Sequence, residues 1–228
     1  MSQARTIVCI RPEPGLSDTV VKGRELGLTI TGVPLFTIEP LDWVNPKRED
    51  FDGILLGSAN AIRQGGEQLK HLKRLPAYAV GRTTAKIAQA AGFTIQVVGK
   101  GGLQALLDNL PVRPIRLLRL AGEEKIPLSP ASWQEIVERI VYRSVALPMP
   151  DTLPAILANH AIIALHSASA AEHFASECRR LAIDRGTIAV AALGPRIADA
   201  AGDGWAEVAV AAAPDDAALL AMIQNMCK

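Results

Sequence analysis

The chain has 228 residues, of which 49% are hydrophobic, and 24 Lys and Arg against 23 Asp and Glu leave a formal net charge of +1. That size and apolar content suffice for one large or two small cores, and the charge lacks the basic excess of a nucleic-acid binder. Apolar runs such as Ala161 to Leu165 fall far short of the roughly 18–20 residues of a membrane helix, and the scattered Cys9, Cys178 and Cys227 match neither a disulfide framework nor zinc spacing.

The first strand is expected over Thr6 to Ile10, after a start with no cleavage-site pattern, so no signal peptide and a cytoplasmic location are expected. Val33 to Pro40 is bracketed by prolines and therefore extended. Strands follow over Gly53 to Leu56, Ala77 to Val80, Thr94 to Val98 and Arg116 to Leu120. A second extended segment runs from Val141 to Pro148, and further strands cover Ala161 to Leu165, Thr187 to Leu193 and Glu207 to Val210. Helical stretches follow most strands, the last one after Pro214-Asp215-Asp216. Alternation of this kind predicts an α/β fold built on mainly parallel sheets.

A weak internal repeat runs through the pattern. Asp52 to Ala61, with Ser58-Ala59-Asn60-Ala61 closing a strand, is answered by Ala161 to Ala170, with Ser167-Ala168-Ser169-Ala170 in the same place. Tyr78 to Ala85, containing Gly81-Arg82-Thr83-Thr84, is answered by Val190 to Ala198, containing Gly194-Pro195-Arg196. Val8 to Pro12 has a fainter echo in Leu117 to Leu120, so the chain reads as two related halves.

These signals, in this order and over nearly the whole chain, resemble the uroporphyrinogen-III synthases: the strand ending in Arg11-Pro12, the Ser58 turn, Gly81 to Ala85, Arg119, the linker Tyr142, the Ser167 turn, Gly194-Pro195 and the closing Pro-Asp-Asp segment. The resemblance implies two similar parallel-sheet α/β domains joined by a two-stranded linker, with the substrate in the cleft between them. Transferred to this chain, residues 1–33 and 149–228 make the first domain, 41–141 the second, and 34–40 and 142–148 the linker strands. It also implies a monomer that uses no metal or organic cofactor and converts hydroxymethylbilane, a linear tetrapyrrole with eight carboxylates, to uroporphyrinogen III.

On that reading a nearly neutral protein must hold an anionic ligand with local donors. Helix N-termini offer unpaired backbone N–H groups, and each such bond to a carboxylate contributes roughly 1.5–3 kcal/mol. Ser58, Ala59, Asn60, Gly81, Arg82, Thr83, Thr84, Ser167, Ala168, Ser169, Gly194, Pro195 and Arg196 lie at such strand-to-helix turns, although Ser and Thr there serve equally as ordinary helix caps. Arg196-Ile197 stands where the family usually has a Thr pair. Arg11 and Arg119 are candidate carboxylate ligands or structural ion pairs. The resemblance makes Tyr142, with Thr84, the catalytic candidate; the alternative for Tyr142 is packing in the linker.

His160, His166 and His173 show neither metal spacing nor an evident carboxylate partner, and Gly99-Lys100-Gly101-Gly102 lacks the pattern of a nucleotide loop. A non-catalytic relative acting as a sensor, or a two-domain small-molecule binding protein, would share these features.

Overall fold

A computed structural model describes residues 5–227, so residues 1–4 and 228 of the expected first domain lie outside it. In chain order the elements are β1 (Ile7–Cys9), α1 (Gly15–Glu25), β2 (Ile30–Gly32), β3 (Phe36–Pro40), β4 (Gly53–Leu56), α2 (Asn60–Gln64) and β5 (Ala77–Val80). Next come α3 (Arg82–Ala90), β6 (Ile95–Gly99), α4 (Leu103–Asp108), β7 (Ile115–Gly122), β8 (Gln134–Ala146) and α5 (Leu153–Leu157). The chain continues through β9 (Ile162–Leu165), α6 (Ala168–Arg180), β10 (Ala189–Ala192), α7 (Pro195–Ala201), β11 (Glu207–Val210) and α8 (Asp216–Met226). Two compact units result, one from the described residues through Thr37 together with those from Val145 onward, the other from Ile38–Ser144. The chain passes between them inside the two proline-marked segments.

The first unit holds a five-stranded parallel sheet in the order β11-β10-β9-β1-β2. Its central strands are apolar on both faces, as strands covered by helices on each side must be. Val8, Ile163, Leu165 and Val190 meet Phe174 of α6 and Leu153 and Leu157 of α5. Alternate residues Ile7, Cys9, Ile162 and Ala191 meet Leu16 of α1 and Leu219, Leu220 and Ile223 of α8 on the opposite face.

The second unit holds a six-stranded sheet in the order β3-β8-β7-β4-β5-β6, in which β4 to β8 pair in parallel. One face packs Ile54, Leu56, Ala79 and Leu118 against α2 and α3. The other packs Leu55, Tyr78 and Leu117 against Leu106 and Leu107 of α4, and against Leu128 and Trp133. Those last two belong to the segment 123–133, which returns the chain from the end of β7 to the start of β8 across the sheet where a crossover helix is usual.

Two strands go beyond those expected. The three residues of β2 end in a glycine and are too short to show a period. β8 starts at Gln134 rather than at Val141, and its first half contains Glu135, Glu138 and Arg139. Cross-strand charge pairing supports that half instead of an apolar run: Arg116 lies opposite Glu135 at 2.9 Å and Arg119 opposite Glu138 at 2.6 Å.

The strand orders also show how the repeat is arranged in space. Matching β9, β10 and β11 to β4, β5 and β6 pairs β1 with β7 and β2 with β8, and both sheets then read in one order. The partners of β1 and β2 follow their repeat in one half and precede it in the other.

Candidate active site

In an open parallel sheet, ligands bind beyond the carboxyl ends of the strands, at the point where successive connections leave in opposite directions. In the second unit that point lies between β4, which leads to β5, and β7, which leads to β8. A cavity of about 340 Å³ opens there, near the lower end of the range for small-molecule sites. Gly57 and Ser58 after β4, Val80 at the end of β5, Gly101 and Gly102 before α4, Ala121 and Gly122 ending β7, and Tyr142 of β8 line it. Its remaining wall is the segment 123–133, through Glu124, Lys125, Ile126 and Leu128.

Tyr142 reaches the cavity because the β7–β8 ladder slips by one residue. Ala121 pairs with Ile140, but Gly122 pairs with Tyr142, a bulge that turns the phenol over the end of β7. A β-carbon at Gly122 would stand 2.6 Å from the ring and 2.9 Å from the hydroxyl oxygen, so only glycine leaves room for the tyrosine there. Among the described residues the phenol has no hydrogen-bond partner. Gly101 and Gly102 have φ of 77° and 101°, the left-handed region that glycine adopts without steric cost. They bring bare backbone to the cavity wall.

Arg119 is almost fully buried, its side chain 5% exposed. One terminal nitrogen donates to Glu138 at 2.6 Å and the other to the carbonyl of Ile126 at 3.0 Å, while Nε has no partner. Ser58 accepts a hydrogen bond from the Asn60 amide at 3.2 Å, closing the turn before α2, whose N-cap position is Ala59. Gly81 starts α3 with φ of 79°, Arg82 and Thr83 are exposed beside it, and Thr84 belongs to the buried face of α3. Of the sequence candidates in this unit, the cavity brings together Ser58, Arg119 and Tyr142; Ala59, Asn60, Gly81, Arg82, Thr83 and Thr84 lie outside its lining. Lys125 lines it without having been singled out, and so do Gly101 and Gly102, whose stretch was considered only as a nucleotide loop and set aside.

The corresponding point of the first unit lies between β1 and β9, and there the other candidates are differently engaged. Arg11 donates to Thr19 at 3.1 Å and to Asp216 at 3.2 Å, and Lys22 reaches the second oxygen of Asp216 at 2.8 Å. His166, 6% exposed, sets Nε2 at 3.2 Å from Asp216, but out of line for a hydrogen bond. The expectation that no histidine faces a carboxylate is thus corrected: the partner comes from the far end of the chain, at the first turn of α8. Burial would raise the carboxyl pKa of Asp216, yet His166, Lys22 and Arg11 together hold it well below the usual range. Burial also pushes the His166 imidazole down, against the pull of Asp216.

Ser167 caps α6 by accepting from the Ala170 amide at 3.2 Å, and Ala168 and Ser169 form that helix's first turn. Gly194 and Pro195 begin α7, with Arg196 exposed beside them. These residues share the carboxyl edge of the first sheet with Arg11. Among the described residues no cluster of His, Cys, Asp and Glu is arranged to hold a metal, and no helix is long and apolar enough to cross a membrane.

Comparison with known proteins agrees with this architecture. The first unit's sheet and its partner have the strand layout expected of two α/β domains, and a family model described as uroporphyrinogen-III synthase HemD matches residues 17–221. A uroporphyrinogen-III synthase of Chlorobaculum parvum is 24% identical over 165 residues, covering 65% of this chain and 67% of that protein. Among solved structures, the uroporphyrinogen-III synthetase of Helicobacter pylori superposes with a TM-score of 0.64 at 17% identity, over 97% of this chain and 99% of that one. A mutant uroporphyrinogen III synthase of Thermus thermophilus gives 0.53 at 19% identity, over 97% of each chain. At such identities the structural likeness speaks for the fold, and the family model for descent: the chain belongs to the uroporphyrinogen-III synthase family.

Proposed function

We propose that this chain converts hydroxymethylbilane to uroporphyrinogen III and water, as a monomer in the cytoplasm. The hydroxyl of the terminal hydroxymethyl group takes up a proton and leaves as water, its carbon stays as the methylene of an azafulvene cation, and the substituted carbon of the last pyrrole attacks that methylene. The spiro intermediate fragments and recloses with that ring inverted. Because the bilane also closes unaided to the symmetric isomer, the protein's task is to orient a reactive intermediate, and no strongly nucleophilic residue is required.

The observation that supports this reading is Tyr142, which offers an unengaged phenol at the switch point of a parallel sheet, over a glycine that makes room for it. We assign it the hydrogen bond to the departing hydroxyl. We assign it orientation and hydrogen bonding rather than full proton transfer. Ser58 and the bare backbone at Gly101 and Gly102 face the same cavity and are suited to carboxylate arms. The cavity takes only part of a tetrapyrrole.

The test is to incubate the pure protein with freshly made hydroxymethylbilane and separate the product isomers. The asymmetric isomer is expected in excess over the unaided reaction; the symmetric isomer alone would mark a non-catalytic relative. Tyr142→Phe should lower kcat roughly 10- to 100-fold, with the thermal midpoint and the product isomer unchanged. Wild-type turnover in that variant would remove Tyr142 from the mechanism.

A further inference from the structure

The segment 123–133 forms a wall of the cavity without secondary structure of its own, and its fixation is specific. Gln104 of α4 clasps it twice, donating to the Ser129 carbonyl at 3.0 Å and accepting from the Ser129 amide at 2.8 Å. Leu128 and Trp133 anchor it in the apolar layer on that face of the sheet. Arg119 holds its other end from below through the Ile126 carbonyl. Both terminal nitrogens of Arg119 are therefore occupied, and Glu138 is drawn tightly to it.

Lys125 differs from Arg119 in each respect. Its ammonium lies 3.5 Å from the other oxygen of Glu138, a longer contact to a carboxylate already bound by an arginine. Its side chain is 29% exposed, and it lines the cavity beside Ile126, which is 67% exposed at the rim. A partly solvated pair of that length contributes little, so an incoming carboxylate can compete for the lysine. A buried Arg119 with its fork engaged cannot turn outward at comparable cost.

We propose that Lys125 is the cavity's carboxylate-binding cation, exchanging Glu138 for an acid side arm of the substrate, and that Arg119 is a positioning residue that fixes Glu138 and the segment carrying Lys125. The assignment rests on the functional reading above, because it takes the ligand to be a carboxylated pyrrole. It moves the arginine from contact with substrate to support of the wall.

The experiment compares steady-state kinetics of wild type, Lys125→Met and Lys125→Arg on fresh hydroxymethylbilane, at low and high sodium chloride. Lys125→Met should raise KM about tenfold with kcat within about threefold, since it removes binding shared by ground and transition states. It should also flatten the rise of KM with salt. Lys125→Arg should restore most of both, which a structural role in the segment would not require. Limited proteolysis should cleave the segment in Arg119→Met faster than in Lys125→Met or wild type. Unchanged KM and salt dependence in Lys125→Met would overturn the proposal while leaving the synthase reading intact, whereas a wild-type chain that gives no asymmetric product would overturn both.

Discussion

Arg11 and Arg119 look alike in the sequence, each closing a strand at a place where a carboxylate ligand could bind. Both guanidinium groups instead serve carboxylates of the protein. For Arg11 these contacts are Asp216 and Thr19, joining the end of β1 to α1 and to the first turn of α8. Arg11→Met would leave Asp216 with Lys22 and His166 and remove a charged hydrogen bond, a loss of about 1–3 kcal/mol. The expected result is a thermal midpoint several degrees lower, at roughly 2–4 °C per kcal/mol for a chain of this size, with KM changed by less than about threefold. A KM rise without loss of stability would return Arg11 to the substrate. The sequence offered no means of choosing, because the deciding partner, Asp216, lies at the other end of the chain and no local period links them. The same distance hid the carboxylate facing His166. Tyr142 was singled out by the family resemblance alone, and its place on the cavity wall depends on the slip between β7 and β8, which no pattern in either strand shows.

At the level of elements, apolar runs located the central strands to within a residue or two, because strands buried on both faces need uninterrupted apolar sequence. β8 was only half legible: its first part is stabilised by Arg116–Glu135 and Arg119–Glu138, and pairs of opposite charge look like ordinary surface when read one strand at a time. The bulge between β7 and β8 was equally hidden, although it turns Tyr142 toward the cavity. Gly122→Ala tests its importance. The added methyl would meet the phenol ring at 2.6 Å, so either the ring leaves its position or the ladder shifts. Overpacking of this kind costs roughly 1–3 kcal/mol. Turnover should fall at least as far as in Tyr142→Phe, with a lower thermal midpoint as well, and the double variant should be little worse than Gly122→Ala alone. Normal kcat in Gly122→Ala would show that the tyrosine's seat over this glycine does not matter to the reaction.

Across the whole molecule, the repeat visible in the sequence corresponds to two sheets of one strand order whose switch points have diverged: that of the second unit is an open cavity, and that of the first is filled by Asp216 and its cations. Half of this was readable, because strand-turn-helix motifs leave a residue pattern, while the contents of each switch point depend on residues from distant segments. The divided chain also bears on the order in which the protein takes shape. β1 lies inside its sheet between β2 and β9, and it pairs Ile7 with Ile162 of β9, whereas β4 finds β5 and β7 within its own continuous stretch. During synthesis at about 5–20 residues per second, β1 emerges roughly 8–30 s before β9. In that interval Ile7, Val8, Cys9 and Ile10 have no completed sheet to join, while the whole of Ile38–Ser144 has already left the peptidyl-transferase centre. Pulsed hydrogen exchange during refolding should accordingly find amides of β4, β5 and β7 protected before those of β1 and β9, since closing the longer loop costs more chain entropy. Simultaneous protection would mean that the two units fold as one. If the order holds, the apolar N-terminal strand is the part of the nascent chain most in need of a chaperone, and destabilising changes in α8 or β9 would reduce the yield of folded protein even where they leave the finished catalyst unaltered.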